Sequence, residues 1–217
     1  MEDIHAKVIN RQMLTENVME FTIETYTEVK VIPGQRALFI FEDEQGQFQR
    51  SYSIVYDDTD NEKTILVFAI KLSEHGRGSA MIRKLSIWSL VNIQWIFGNF
   101  FVQNTPLPKV FIGIWSWIVP LLAMAKDCIT EKQLFFSVAY KKDLFYENKI
   151  KKILGLSYKI YLNKENIPGY QLWEIDFIQE HFNPNTEFYL SWESDIIDTI
   201  IKKLKKLGFK RIYEEKF

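Results

Sequence analysis

Cysteine is almost missing from this chain: Cys128 is the only one in 217 residues. A lone thiol excludes a disulfide framework, a cysteine-rich zinc site and a cysteine-ligated iron–sulfur cluster built by this chain. The three histidines, His5, His75 and His181, stand far apart, so a histidine-rich metal site is not expected either. Charge of one sign is lacking as well. Lys and Arg number 27 and Asp and Glu 28, a net of −1, so the basic excess of a nucleic-acid binder is absent. No apolar run is long enough for a bilayer. The longest, Val110 to Ala125, has 16 residues and contains Pro120, short of the roughly 20 a spanning helix needs. It reads as a buried strand, turn and helix. Residues 1–20 carry Glu2, Asp3, Glu16 and Glu20 with no apolar core, so no secretory leader is expected and the cytoplasm is the default compartment. Glycine is scarce too, at 9 of 217 residues or 4.1%, against a usual share of about 7%. Tryptophan, by contrast, reaches 6.

What is present is ample apolar material, 47% of residues, enough to bury one or two cores. The first hundred residues read as strands: Ala6–Asn10, Val18–Tyr26, Ala37–Phe41, Ser51–Tyr56, Thr64–Leu72 and Leu90–Ile96. Short strands at even spacing with turn signals such as Pro33-Gly34 predict a barrel or sandwich. Thr105-Pro106-Leu107-Pro108 is the best linker. It divides the chain into residues 1–105 and 106–217. Beyond it strands alternate with helices: Lys109–Ile114, Val119–Lys126, Gln133–Tyr140, Leu144–Leu154, Ser157–Leu162, Trp173–His181 (helical or extended), Glu187–Ser191 and Asp195–Leu207. That alternation predicts βαβ units and a parallel sheet. The last helix carries Ile196, Ile197, Ile200, Ile201, Leu204 and Leu207 on one face and stops at Gly208. Phe209–Tyr213 could add a final strand. The fold class is therefore β followed by α/β, a small antiparallel six-stranded barrel and then a Rossmann-like parallel domain.

Two stretches could carry chemistry. In Arg50-Ser51-Tyr52-Ser53, alternation puts Arg50 and Tyr52 on one side of a strand. The arginine offers a fork to a phosphate, the tyrosine a flat face, and Ser53 a hydroxyl. In Gly76-Arg77-Gly78-Ser79, glycines precede a helical stretch with Ser79 as its cap, which would leave main-chain N–H groups open to an anion. Read singly, each stretch is also compatible with a solvated strand face or an ordinary turn.

Taken in order, and followed by Phe97-Gly98-Asn99, these motifs resemble those of the ferredoxin–NADP⁺ reductase-like flavoproteins. That family has an Arg-x-Tyr-Ser motif, a Gly-x-x-Ser turn and a Pro-Gly-Gln before its third strand. The chain has Arg50-Ser51-Tyr52-Ser53, Gly76-Arg77-Gly78-Ser79 and Pro33-Gly34-Gln35. The resemblance implies a barrel that binds FAD and an α/β domain that binds NAD(P)H. It places Arg50 at the diphosphate, Tyr52 against the flavin, Ser53 near its reactive nitrogen, and Gly76, Gly78 and Ser79 around phosphate. It also implies a nucleotide turn at Trp115, Ser116, Trp117 and Pro120, a nicotinamide-side role for Ser191, and a tail aromatic, Phe217, on the ring. The expected function is electron transfer from NAD(P)H through FAD to a separate carrier such as ferredoxin or flavodoxin. Lys141 and Lys142, after the second strand of the α/β domain, lean towards NADPH.

The departures from the family pattern share one feature. Trp88, Trp95, Trp115, Trp117, Trp173 and Trp192 all stand where the family has or favours glycine. Two readings follow. Either glycine codons have been written as tryptophan, through UGA being read under a different genetic code, or aromatics plug the nucleotide site. In the second case the chain is a non-catalytic flavin-binding or regulatory module.

Overall fold

The computed structural model of the chain describes residues 3–60, 63–165 and 182–216. The chain divides into two units, Met1–Phe101 and Val102–Phe217.

The first unit is built from strands whose side chains alternate inward and outward. They are β1 (Ile4–Met13), β2 (Val18–Thr25), β3 (Arg36–Asp43), β4 (Gly46–Asp60), β5 (Lys63–Lys71) and β6 (Leu90–Phe97). All pairings are antiparallel and the order β1-β2-β5-β4-β3-β6 closes on itself, with Ile4 opposite Ile93 at the seam. Closure removes the unpaired edges that an open sheet would expose. The barrel is filled by Phe21, Phe39 and Phe68, with ring centroids 5.1–5.9 Å apart. Outside, Glu24 accepts both Lys7 and Lys63 at 3.0 Å. The turn Pro33-Gly34 is present: Gln35 N–H donates to the Ile32 carbonyl at 3.0 Å, with Gly34 at φ 102°. One helix, α1 (Arg77–Lys84), joins β5 to β6. It begins two residues earlier than the sequence suggests. β4 is also far longer than Ser51–Tyr56, because a barrel strand tolerates the polar Gln47, Gln49 and Arg50 on its outer or end positions.

The second unit holds a parallel sheet of β7 (Lys109–Ile114), β8 (Lys132–Val138), β9 (Tyr158–Leu162), β10 (Glu187–Trp192) and β11 (Arg211–Lys216), in the order β11-β10-β7-β8-β9. The described helices are α2 (Ile118–Asp127), α3 (Glu147–Leu154) and α4 (Ser194–Lys206). Strands β7 and β10 are buried along their whole length, as central parallel strands must be when both faces are covered. Helix α4 lays Ile197, Ile200 and Leu204 on the sheet and stops before Gly208, whose φ is 92°. Its Asp198 pairs with Lys216 of β11 at 2.7 Å. The final strand lies slightly later than Phe209–Tyr213. Trp173–His181 lies outside the described residues. Among the described residues no helix is long and apolar enough to cross a membrane.

A buried polar cluster ties the linker segment to this sheet. Lys109 and Glu187 are each 1% exposed and lie 3.5 Å apart. The Lys109 ammonium donates to the Thr105 and Leu107 carbonyls at 2.9 and 3.0 Å. Glu187 accepts Thr105 Oγ1 and the Tyr189 hydroxyl, both at 2.9 Å. Both carboxylate oxygens are thus hydrogen-bonded, which lowers the cost of burying such a pair. Removing one partner strands the other charge. Lys109→Met is therefore expected to destabilise this unit by about 3–5 kcal/mol. Pairing it with Glu187→Leu should recover part of the loss, read as the urea midpoint of the transition that reports on the sheet.

Candidate functional site

In the barrel the site grows from one close approach. Strand β4 presents Arg50 and Tyr52 on the same face, and the first turn of α1 passes beside them. Gly78 makes this possible. A Cβ at that position would lie 2.7 Å from the Tyr52 hydroxyl and 3.0 Å from Arg50 Cγ. No real side chain tolerates such spacing. Tyr52 is half-buried, its ring edge-on to Phe39 at 5.6 Å, and burial pushes its hydroxyl up to about 12, so it stays a neutral donor across the physiological range. Arg50 is exposed, with its guanidinium 5.2 Å from the Phe48 ring, and donates to the Gln49 carbonyl at 2.7 Å. Among the described residues no carboxylate pairs with it.

Helix α1 has no side-chain cap at Gly76 and no acidic residue in its first turn, so its leading N–H groups face a site without a built-in anion. Gly76 itself is the cap residue, and not Ser79. The Ser79 hydroxyl turns into the preceding loop and accepts the Ser73 N–H at 3.0 Å. A Cβ on Gly76 would sit 2.1 Å from Ser73 Oγ. Ser53 lies on the opposite face of β4 from Arg50 and Tyr52, opposite Arg36 in the register. The structure therefore brings Arg50, Tyr52, Gly78 and the α1 N-terminus together, with Ser79 bracing the loop behind them.

Two residues of this site escape sequence reading. Arg77, between the two glycines, does not face an anion. It forks onto Asp43 at 2.5 and 2.6 Å, donates to the Gly46 carbonyl at 2.7 Å and lies 4.0 Å over Phe48. Asp43 is held down to about 2 by this guanidinium. The pair clamps the start of α1 to the β3–β4 hairpin. Asp43 lies 34 residues from Arg77, and nothing local announces the contact.

In the second unit the chain runs β7, β8, β9 to one side and then returns to β10 on the other side of β7. The reversal opens a crevice beyond the carboxyl ends of β7 and β10, where ligands of open α/β sheets bind. The residues singled out by sequence meet there. Trp115, Ser116 and Trp117 form a tight turn between β7 and α2, and Ser191 pairs in register with Gly113 of β7. The Ser191 hydroxyl is buried without a partner among the described residues. Pro120 lies in the first turn of α2, where a missing N–H costs nothing. Gly113, a residue the motif search passed over, lets α2 close on β7, because a Cβ there would lie 2.7 Å from Leu121 Cδ1. Glycine inside a strand does signal close backbone approach. Phe217 lies outside the described residues.

This second crevice does not fit a diphosphate as the chain is written. Trp192, the last residue of β10, belongs to the apolar cluster between the sheet and α4, and Trp115 and Trp117, just past the end of β7, pack against that cluster. Trp115 also takes φ 51°, a left-handed conformation that costs a bulky residue about 1–3 kcal/mol. The barrel site does fit. The exposed Arg50 fork, the neutral Tyr52 and the open helix start, drawn together at Gly78, suit an extended anionic ligand with an aromatic end.

Residues 5–101 match the family model of the oxidoreductase FAD-binding domain. The match covers nearly the whole of the first unit. No curated protein sequence matches the chain. Among solved structures, the chain is similar to the flavohem-like FAD/NAD binding domain of nitric oxide dioxygenase from Vibrio cholerae, at 16% identity and a TM-score of 0.87, covering 99% of this chain and 98% of that one. It is similar to a ferredoxin NADP⁺ reductase from Neisseria gonorrhoeae, solved with FAD and NADP, at 16% identity and 0.83, covering 100% and 99%. Flavohemoglobin from Malassezia yamatoensis, with bound FAD and heme, matches at 17% and 0.86, covering 100% of this chain. The chain spans 60% of the length of that flavohemoglobin. At these identities the likeness is one of fold, and it extends over both units of the chain. In the first unit, Gly78→Ala is expected to push Tyr52 and Arg50 apart and to lower FAD affinity by about tenfold or more, measured by flavin fluorescence titration.

The Asp43–Arg77 clamp makes a pH prediction. Its carboxyl is depressed from 3.8 to about 2 on folding. The clamp's contribution is thus complete above the unfolded value and lost as pH falls towards the folded one. Asp43→Asn should lower the melting temperature at pH 6, and the gap to the parent should close between about pH 4 and pH 2.

Proposed function

We propose that the chain is an FAD-dependent oxidoreductase that takes electrons from NAD(P)H and passes them to a separate acceptor such as ferredoxin or flavodoxin. The observation that carries this reading is the close approach at Gly78, which brings an arginine without a carboxylate partner, a neutral tyrosine and an uncapped helix start together in a unit that matches an FAD-binding domain. A parallel α/β unit with a switch-point crevice follows it in the chain. Bound flavin supplies the hydride acceptance and electron release that no side chain here provides.

The chain's own groups bind and orient. The Arg50 fork balances the diphosphate charge, and the α1 N–H groups add donors on the same side. Tyr52 offers its ring and a hydroxyl that stays protonated. Ser53 on β4 would reach the ring from the other strand face. In the second unit, the turn holding Ser116 would face the nucleotide's pyrophosphate, Ser191 would stand on the nicotinamide side, and Phe217 would cover the ring from the tail. With Cys128 as the sole cysteine, these 217 residues ligate no iron–sulfur cluster through thiolates, so the acceptor is a separate protein or domain. A preference for NADPH is supported by Lys141 and Lys142, which form a tight turn just beyond β8.

A second reading is favoured by the indoles at the crevice: a flavin-binding module without hydride transfer. The two separate cleanly. The FAD-loaded protein, mixed anaerobically with NADPH or NADH, should lose its visible flavin absorbance if the chain is a reductase. Retained flavin that neither nucleotide bleaches would establish the module instead. Arg50→Ala should weaken FAD binding about tenfold or more while leaving the barrel's melting transition close to the parent's, which distinguishes ligand binding from folding.

A further inference from the structure

The tryptophans do not stand where the size of an indole would place them. Among the described residues three non-glycines adopt positive φ: Trp88 at 75°, Trp115 at 51° and Tyr146 at 61°. Two of the three are therefore tryptophan, which supplies only 6 of 217 residues. A positive φ on a bulky L-residue is a genuine outlier.

Trp88 is the clearer case. It is the third residue of the turn Ser86-Ile87-Trp88-Ser89, closed by Ser89 N–H donating to the Ser86 carbonyl at 3.0 Å. A positive φ at the third position alone marks a type II turn, which calls for glycine there. The chain builds the same turn at Ile32-Pro33-Gly34-Gln35, closed at 3.0 Å, with glycine in the third place. One turn has the residue the geometry demands and the other does not. The indole gains little burial in exchange, being 67% exposed, and its ring contact is an outer one, with Lys7 Nζ 5.3 Å from its centroid. The useful contact at this position, its N–H donating to the Val8 carbonyl at 2.8 Å, is one any residue but proline can make.

Trp115 repeats the conflict in the second unit. It follows Ile114, an extended residue at φ −130°, and opens the turn into α2 with a left-handed backbone. Trp117 and Trp192 have no positive φ, but with Trp115 they stand at the carboxyl ends of β7 and β10 and share one apolar cluster. Small residues there would leave main-chain N–H groups open to a ligand. Trp95 likewise has no positive φ, and Trp173 lies outside the described residues.

Composition points the same way without reference to any angle. Exchanging all six tryptophans for glycine raises glycine from 9 to 15 residues, 6.9% of the chain, which restores the usual share of about 7%. The chain also prefers residues with AT-rich codons, with 21 Lys against 6 Arg and 27 Ile. Such a bias favours UGA over other glycine or stop codons wherever UGA has been reassigned.

We infer that the tryptophans of this chain are glycine in the protein as its own cells make it, encoded by UGA, a codon that some genetic codes read as glycine and others as tryptophan. The protein then carries Gly-Ser-Gly at 115–117 and glycine at 192, and the crevice beyond β7 and β10 is open. The inference rests on backbone angles and composition, and it stands apart from the flavin reading.

The test is tandem mass spectrometry of the protein purified from the organism that carries the gene, on peptides spanning residues 86–89 and 112–118, beside the codons at the same positions. Glycine at both 88 and 115, with UGA in the gene, is the expected result. Tryptophan at either position, or UGG in its codon, overturns the inference. Neither result alters the FAD titration of the barrel, so failure here and failure of the flavin reading are told apart.

Discussion

Strand β4 and the start of α1 can only share one wall of the barrel if nothing projects between them. That constraint organises the N-terminal unit. Gly78 has no side chain, and Tyr52 and Arg50 close directly against it. The helix is held at this distance by Arg77, whose guanidinium is committed to Asp43, the Gly46 carbonyl and the face of Phe48. Two neighbouring arginines thus divide the work. Arg77 is neutralised and structural, whereas Arg50 keeps an unspent charge at the surface of the site. An unpaired arginine beside an uncapped helix start is a poor way to stabilise a fold and a good way to hold an anion.

The second unit answers a different constraint. A parallel sheet that reverses its winding direction must leave a crevice at the carboxyl ends of the two strands flanking the reversal. Here those strands are β7 and β10, and they are the most deeply buried in the sheet. At their amino ends the Lys109–Glu187 pair locks the entering segment in place. At their carboxyl ends three indoles collect. The two ends of the sheet are thus distinguished by chemistry: a hydrogen-bonded buried ion pair at one, and at the other a group of indoles of which Trp115 is in conflict with its backbone.

Much of the fold was legible in the sequence where burial is complete. Lys109–Ile114 reads as a strand from its unbroken apolar run, and it is one. The face of α4 is given by isoleucines and leucines at helical spacing, and Pro33-Gly34 names its own turn. Legibility failed where residues answer to distant partners. Gln47 and Gln49 lie ahead of the strand the sequence predicts, yet β3 pairs with them and extends β4 to Gly46. Ser79 looks like a cap, but Ser73 claims its hydroxyl. Arg77 looks like part of a phosphate cradle, and Asp43 binds it from another hairpin. Phe217 and Trp173 fall outside the described residues.

By itself, the sequence determined the two-part architecture, because hydrophobic period and turn chemistry are local properties that survive without knowledge of neighbours. It also determined which short stretches were chemically able to grip a dinucleotide. Only the tertiary structure decided which members of those stretches face one another: Arg50 with Tyr52 and Gly78, Arg77 with Asp43, Ser191 with Gly113. Only the structure, too, showed that Trp88 and Trp115 occupy backbone angles made for glycine. The reason is the same in each case. Composition and spacing fix what a residue can do, whereas the closed barrel and the wound sheet fix what lies within a few ångströms of it and what φ the chain must take to get there.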